Sequence, residues 1–357
     1  MLFFIWMVMG AVWVLEAAER CPDVCECSQR ASVERTEVDC QKKDLRSIPP
    51  TLPQDAWILK MGENLLQELP ANALKAVPKI ESINLERNEI KSIHPQAFLG
   101  ARNLMLLNLH GNQISKLPLK GFQDLISLRF LIMGQNHITT IKPEIFVGLR
   151  NLSDLDLPLN SITSLPPNGF RSLTALKVLD LAVNKIQKIS PKSFVGLGEL
   201  QFLNLDSNKI KNIPSGTFKP TSKLEMLVLD NNFIRALTAS MFEGLPELQE
   251  LYMRNNEINR LPEDVFKHIP KITQLALSGN RLKTIDGNLL TQLPALKEVY
   301  MHDNPWACDC NMKSLVHWMS KTTVNLSPLE ALKCTTPSEQ KDKTLNKLQV
   351  EDLKCKI

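Results

Sequence analysis

Five aspartates in the middle of the chain fall on a fixed spacing. Asp156 and Asp180 stand 24 residues apart, Asp206 and Asp230 likewise, and Asp154 lies two places before Asp156. On the same spacing sit Phe130, Val178, Phe202 and Met226 in line with Asp154, and Ile132, Val228 and Tyr252 in line with Asp156. Arg254 continues the line of Asp206 and Asp230. Carboxylates next to rings and aliphatic groups have the makeup of a protein interface, where apolar anchors desolvate and charges steer and select. The formal net charge of the chain is +4. A local acidic field on such a chain predicts a partner that carries a basic patch. The plainer alternative is that the apolar groups cover one another and the acids form a solvated face.

A second set is basic. Lys185, Lys188, Lys209, Lys211 and Arg235, continued by Arg260, Arg281 and Lys283, occupy another stretch that recurs with the same period, one to four places after a recurring asparagine. Such a row fits the sulfates of a glycosaminoglycan, or collagen, although Glu257 and Asp286 nearby also fit an ordinary solvated face. Catalysis finds no support. The six histidines, His94, His110, His137, His268, His302 and His317, are scattered, and no nucleophile elbow, zinc-binding helix motif or glycine-rich phosphate loop occurs. No enzyme activity, cofactor or metal is expected.

The spacing comes from a lattice that must position these groups. A nine-residue phrase, clean as Leu200 to Asn208, reads LxxLxLxxN, and its asparagine recurs every 24 residues at Asn64, Asn88, Asn112, Asn136, Asn160, Asn184, Asn208, Asn232, Asn256, Asn280 and Asn304. Eight, five and three places before each stands an aliphatic residue or Met, apart from Ala56. Ten places after come Phe98, Phe122, Phe146, Phe170, Phe194, Phe218, Phe242 and Phe266, with Leu74 and Leu290 at the two ends. The L-x-L alternation predicts a short strand with its leucines inward, because successive Cβ atoms change faces. The asparagine would then serve backbone groups that the turn leaves unpaired. This period and phrase are those of the leucine-rich repeat, whose units bury their apolar faces only by stacking.

The expected fold is therefore an α/β repeat. It is a curved leucine-rich repeat solenoid with a parallel β-sheet on the concave face, a short helical or irregular convex side, and disulfide caps. Eleven strands at about 4.8 Å would carry that sheet roughly 50 Å. Outward positions lie six, four, two and one places before each asparagine, and the aspartates and rings occupy them. Pro158 cannot donate to a ladder and predicts a local kink, with Leu159 beside it pointing outward.

Composition agrees. With 43% hydrophobic and 22% charged residues the chain is globular, and its mild charge gives no reason to propose nucleic acid. The apolar opening up to Leu15 is too short for a membrane span and runs into Glu16-Ala17-Ala18, so residues 1–18 read as a signal peptide. No second such run follows, so no membrane span is expected and the protein should be secreted to the extracellular space or matrix.

The eight cysteines fall in two groups, Cys21, Cys25, Cys27 and Cys40 before the repeats and Cys308, Cys310, Cys334 and Cys355 after them. End coils lack a neighbour, and small caps without their own core are stapled by disulfides in an oxidising compartment. This divides the chain into an N-terminal cap at 19–54, repeats at 55–304 and a C-terminal cap at 305–357. A zinc site is excluded by Cys25-Glu26-Cys27 and Cys308-Asp309-Cys310, whose single intervening residue is fewer than zinc modules use. Each group allows three pairings. Asn151-Leu152-Ser153 and Asn325-Leu326-Ser327 are glycosylation sequons, and Pro328 after the second favours the first.

The first cysteine group followed by Asp44-Leu45-Arg46-Ser47-Ile48-Pro49, the repeats, and Asn304-Pro305-Trp306 leading into Cys308 and Cys310, with Trp318, together resemble the extracellular leucine-rich repeat family with flanking cysteine caps. The resemblance covers nearly all of the chain after residue 18. It implies pairing of Cys21 with Cys27, Cys25 with Cys40, Cys308 with Cys334 and Cys310 with Cys355, and Trp306 as a plug of the second cap. It also implies a secreted binding or inhibitory protein that takes its ligand on the concave face. The alternative is a matrix protein docking on glycosaminoglycan or collagen. The chain lacks the Thr/Pro-rich stalk and the strongly basic tail that some members carry.

Overall fold

The computed structural model describes residues 21–30, 35–353 and Cys355. The signal peptide expected at 1–18 lies outside the described residues. The repeat strands after the first, Ala56–Lys60, are three residues long with the middle residue buried, as in Leu106–Asn108, Asp154–Asp156 and Phe202–Asn204. Neighbouring strands pair in parallel with a constant offset, Phe130 to Asp154 to Val178 to Phe202 to Met226 to Glu250. The lines read in the sequence are thus physical ladders across one face.

The sheet has 14 strands rather than eleven. The additions come from the caps: an antiparallel pair, Glu26–Arg30 with Arg35–Asp39, precedes the first repeat strand, and Asn325–Leu326 follows the last. A parallel sheet left open at both ends presents unpaired backbone that invites edge-to-edge association. The caps cover those edges with chain of their own.

Behind the sheet the inward leucines are fully buried, and so are the repeat phenylalanines from Phe98 to Phe266. Their rings stack along the axis, with centroids 5.8 Å apart for Phe98 and Phe122 and 5.9 Å for Phe146 and Phe170. The convex side consists largely of turns, with a short helix at Gly287–Thr291.

Each asparagine joins two coils. The Nδ2 of Asn208 donates to the carbonyls of Leu205 and Asp206 in its own turn and to that of Leu181 one coil back, at 3.2, 3.1 and 2.9 Å. Its Oδ1 accepts the Ile186 N–H at 3.0 Å. The pattern continues into the first cap, where Asn64 donates to the Cys40 carbonyl and accepts the N–H groups of Lys43 and Leu45. At the other end Trp306 is fully buried and donates its indole N–H to the Met301 carbonyl. Disulfides Cys21–Cys27 and Cys25–Cys40 close the first cap, and Cys308–Cys334 and Cys310–Cys355 the second. No helix among the described residues is long and apolar enough to cross a membrane.

The kink expected at Pro158 does not occur. Asp154–Asp156 pairs with both neighbouring strands, and the Pro158 carbonyl accepts from the Gln135 N–H at 2.9 Å. The ladder donors on this coil are Asp154, Leu157 and Leu159, so a missing N–H at 158 interrupts nothing.

Replacing a central asparagine by alanine leaves buried backbone donors and acceptors without partners, each costing about 1–3 kcal/mol. Asn208→Ala should therefore lower unfolding stability by about 3 kcal/mol or more, read as a shifted denaturant midpoint, whereas Lys209→Ala one place on should change it by less than about 0.5 kcal/mol.

Candidate functional site

The concave ladders carry the acids and rings to one surface, but not all equally outward. Phe130 is exposed, whereas Ile132, Phe202, Met226 and Tyr252 are half-buried against their ladder neighbours. Mutual covering, the plainer of the two expectations, thus accounts for part of this apolar surface. Two residues the ladder lines did not include add to it: Leu159 and Val183, each directly before its asparagine, are 49% and 43% exposed.

That position is costly for them. The residue before every repeat asparagine has a positive φ, from Arg87 at 51° to Gly111 and Gly279 at 67° and 68°. The turn requires it, and glycine or asparagine accepts such a conformation far more readily than a branched side chain. Leu159 at 56° and β-branched Val183 at 53° place exposed apolar groups on strained backbone at the rim of the acidic stretch.

The carboxylates differ in what holds them. In several coils the side chain four places before the asparagine accepts the N–H two residues on: Asn204 takes that of Asp206, and Asp180 that of Ala182 at 2.8 Å. In the coil of Asp156 the corresponding residue is Pro158, which has no N–H. Asp156 consequently has neither a hydrogen-bond donor nor a counterion among the described residues. Burial pushes its carboxyl above the usual range, with Asp180 and Asp154 adding repulsion. Burial raises Asp180 too, opposed by the Ala182 N–H and Asn204. Asp230 is likewise raised by burial, but the Arg254 N–H at 2.6 Å and the nearby Arg254 charge restrain the rise. Asp206 accepts from Ser207 and Asn231.

Toward the second cap the surface changes character. Arg254 lies over the rings of Tyr252 and Tyr300, 5.0 and 5.2 Å from their centroids, the only two tyrosines in the chain. Cation–π attraction on two sides holds the guanidinium in place. The Tyr252 hydroxyl donates to Glu250 at 2.6 Å, and burial together with that bond pushes its ionisation well up.

The basic line lies on the flank past the asparagines. Lys188, Lys209, Lys211 and Arg235 line a cavity of about 860 Å³ with Phe233, whereas Lys185 instead reaches Ser161 of the preceding coil. Glu257, at the cavity edge, pairs with both Arg235 and Arg281. The exposed Asn151 side chain donates to the Ile126 carbonyl, and Asn325 in the last strand of the sheet donates to Glu298.

A continuous parallel sheet, capped by cystines and facing solvent with acids, rings and aliphatic groups, defines a solenoid built for protein interaction rather than catalysis. Matches to the family described as Leucine rich repeat cover residues 58–114, 102–160, 150–210, 203–258 and 246–305, and the chain belongs to that family. The family is non-enzymatic and binds proteins. Among curated relatives, Leucine-rich repeat-containing protein 3 of Danio rerio is 37% identical over 90 residues, covering 25% of this chain and 33% of that protein. Chondroadherin-like protein of Mus musculus is 31% identical over 109 residues, covering 30% and 14%. The chain thus spans a third or less of the length of these relatives. A chain in a solved structure described as an octameric complex of Latrophilin 3 (Lec, Olf), Unc5D (Ig, Ig2, TSP1) and FLRT2 (LRR) superposes with a TM-score of 0.82 at 25% identity, covering 94% of this chain and all of that one. Cystine caps and chondroadherin-like relatives mark an extracellular protein.

Two outcomes follow from this geometry. Because the folded-state carboxyl of Asp156 is raised, its contribution to stability is greatest below the unfolded-state range and is lost as pH rises through the folded value. Asp156→Asn should therefore stabilise the free protein at pH 7 and lose that advantage near pH 4. Solvent screening of a half-exposed group keeps the gain below about 1 kcal/mol, readable as melting temperature against pH. Val183→Asn, relieving the left-handed strain, should raise stability by about 1 kcal/mol at every pH.

Proposed function

We propose that the chain is secreted and uses its concave face to bind an extracellular protein carrying a basic patch, as a serum binding or inhibitory protein would. In this reading residues 1–18 are the export leader, 19–54 and 305–357 are the caps, and 55–304 display the ligand surface. The contact residues are Phe130, Ile132, Asp154, Asp156, Asp180, Phe202, Asp206, Met226, Asp230, Tyr252 and Arg254. The observation that carries the reading is Asp156, a half-buried carboxylate whose local donor is removed by Pro158. An incoming lysine or arginine supplies what the coil withholds, and a carboxylate raised by burial on an open face without a structural partner is a candidate for such a role. Phe130, Leu159 and Val183 beside it supply apolar area for a partner to cover. Asn151 is the sequon this reading expects to be glycosylated.

A second reading is favoured by the cavity on the flank. There the protein docks on extracellular-matrix glycosaminoglycan.

The concave reading is tested by capturing partners from plasma and from matrix extract on the immobilised protein, then measuring their affinity for variants. Phe202→Ala with Asp206→Asn should weaken a captured partner at least tenfold and flatten its salt dependence, since anchor and steering charge are removed together. Partners that bind both forms equally, or that present acidic surfaces, sink it.

A further inference from the structure

The flank cavity has more structure than a row of solvated lysines. Four successive coils build it: Lys188 from one, Lys209 and Lys211 from the next, Phe233 and Arg235 from the third, and Glu257 from the fourth. Strand spacing of about 4.8 Å makes it roughly 14 Å long. Lys188, Lys209 and Lys211 have no carboxylate within ion-pair distance among the described residues. Phe233 is 44% exposed at the same opening, at a repeat position where a stack of coils does not need an aromatic ring. Glu257 occupies the far end, bonded to Arg235 and to Arg281. The Arg235 guanidinium holds its carboxyl below the usual range.

We infer that this groove is a binding site for a sulfated polysaccharide chain, with Phe233 as the platform for a sugar ring and Glu257 as an internal competitor that sets how many cations the ligand can use. The inference rests on the glycosaminoglycan reading above and specifies its site. Lysine ammonium groups on flexible stems suit sulfates at irregular positions along a chain, whereas a bidentate phosphate or carboxylate site would favour arginine. An exposed ring beside them offers apolar contact to the carbon face of a sugar. Volume agrees, since a cavity of about 860 Å³ lies within the range of small-ligand sites. Glu257 satisfies two arginines that would otherwise be free for sulfate. Its carboxylate therefore limits affinity and repels an unsulfated uronic acid chain. The groove lies across the turn from the acidic face, so both surfaces are open at once.

Size-defined heparin oligosaccharides, titrated by calorimetry at near-physiological salt into the full chain, provide the test. Lys209→Ser with Lys211→Ser should weaken binding tenfold or more, and Phe233→Ser several-fold without changing the salt dependence. Glu257→Gln should strengthen it several-fold, a gain that misfolding cannot imitate. Phe202→Ala on the concave face should leave it unchanged. Retention of heparin that none of the three flank variants alters overturns the groove assignment while leaving the glycosaminoglycan reading standing. Absence of heparin binding overturns both. Equal binding of desulfated heparin, or binding to vesicles of anionic phospholipid in place of heparin, overturns the sulfated-glycan assignment.

Discussion

The fold rests on one amide. Every coil turns sharply at the end of its strand and so exposes backbone donors and acceptors to a dry interior, where leaving them unmet costs more than the net value of the bonds themselves. The asparagine side chain is a donor and acceptor in a single planar group, short enough to be buried, and it reaches into its own turn and the preceding coil together. Because one of its partners is always in the preceding coil, spacing cannot drift without breaking bonds. Uniform register follows, and uniform register turns residues 24 apart into continuous ladders. The outward face of the sheet is thereby fixed by groups buried behind it.

A stack held by neighbour contacts is unfinished at its ends, and the two caps resolve this differently. The first continues both the sheet and the asparagine pattern, through Arg35–Asp39 and the bonds from Asn64 to Cys40, Lys43 and Leu45. The second inserts Trp306 beneath the final turn and lays helix Lys313–Lys321 and strand Asn325–Leu326 over the end. Neither cap has room for much core of its own, which explains why the disulfides are confined to them while the coils between do without.

Much of this was legible in the residues. The inward leucines, the phenylalanine stack and the asparagines announce themselves by strict spacing, because packing and buried hydrogen bonding tolerate few alternatives there. The site was legible only in outline. Which carboxylate would lack a partner depends on a hydrogen bond between Asp180 and Ala182 that has no counterpart at Asp156 and Pro158. Pro158 was visible, but it read as a sheet breaker, since the ladder had to be built before its N–H could be seen to be dispensable. Val183 and Phe233 escaped notice for a related reason, and Leu159 was seen only as an outward neighbour of Pro158. Their positions carry no fixed residue type, and for Leu159 and Val183 the signal that could have found them was a bulky apolar group where the turn prefers glycine or asparagine. The extra strands from the caps were hidden because Arg35–Asp39 and Asn325–Leu326 do not follow the repeat phrase.

Acid and base on the same coils are kept apart by the turn itself. Asp206 stands two places before Asn208 and Lys209 one place after, yet the side chains face different surfaces because the buried asparagine lies between them. At physiological ionic strength fields between exposed charges decay over about 8 Å. A basic partner approaching the concave face therefore meets the aspartates at close range and the flank lysines largely screened, while a polyanion on the flank meets the reverse. Half-burial strengthens this separation, since it reduces solvent screening of Asp156, Asp180 and Asp230 more than that of the exposed lysines. The modest net charge of the chain thus conceals two opposed local fields, and the geometry that keeps them from cancelling is the same asparagine turn that holds the stack together.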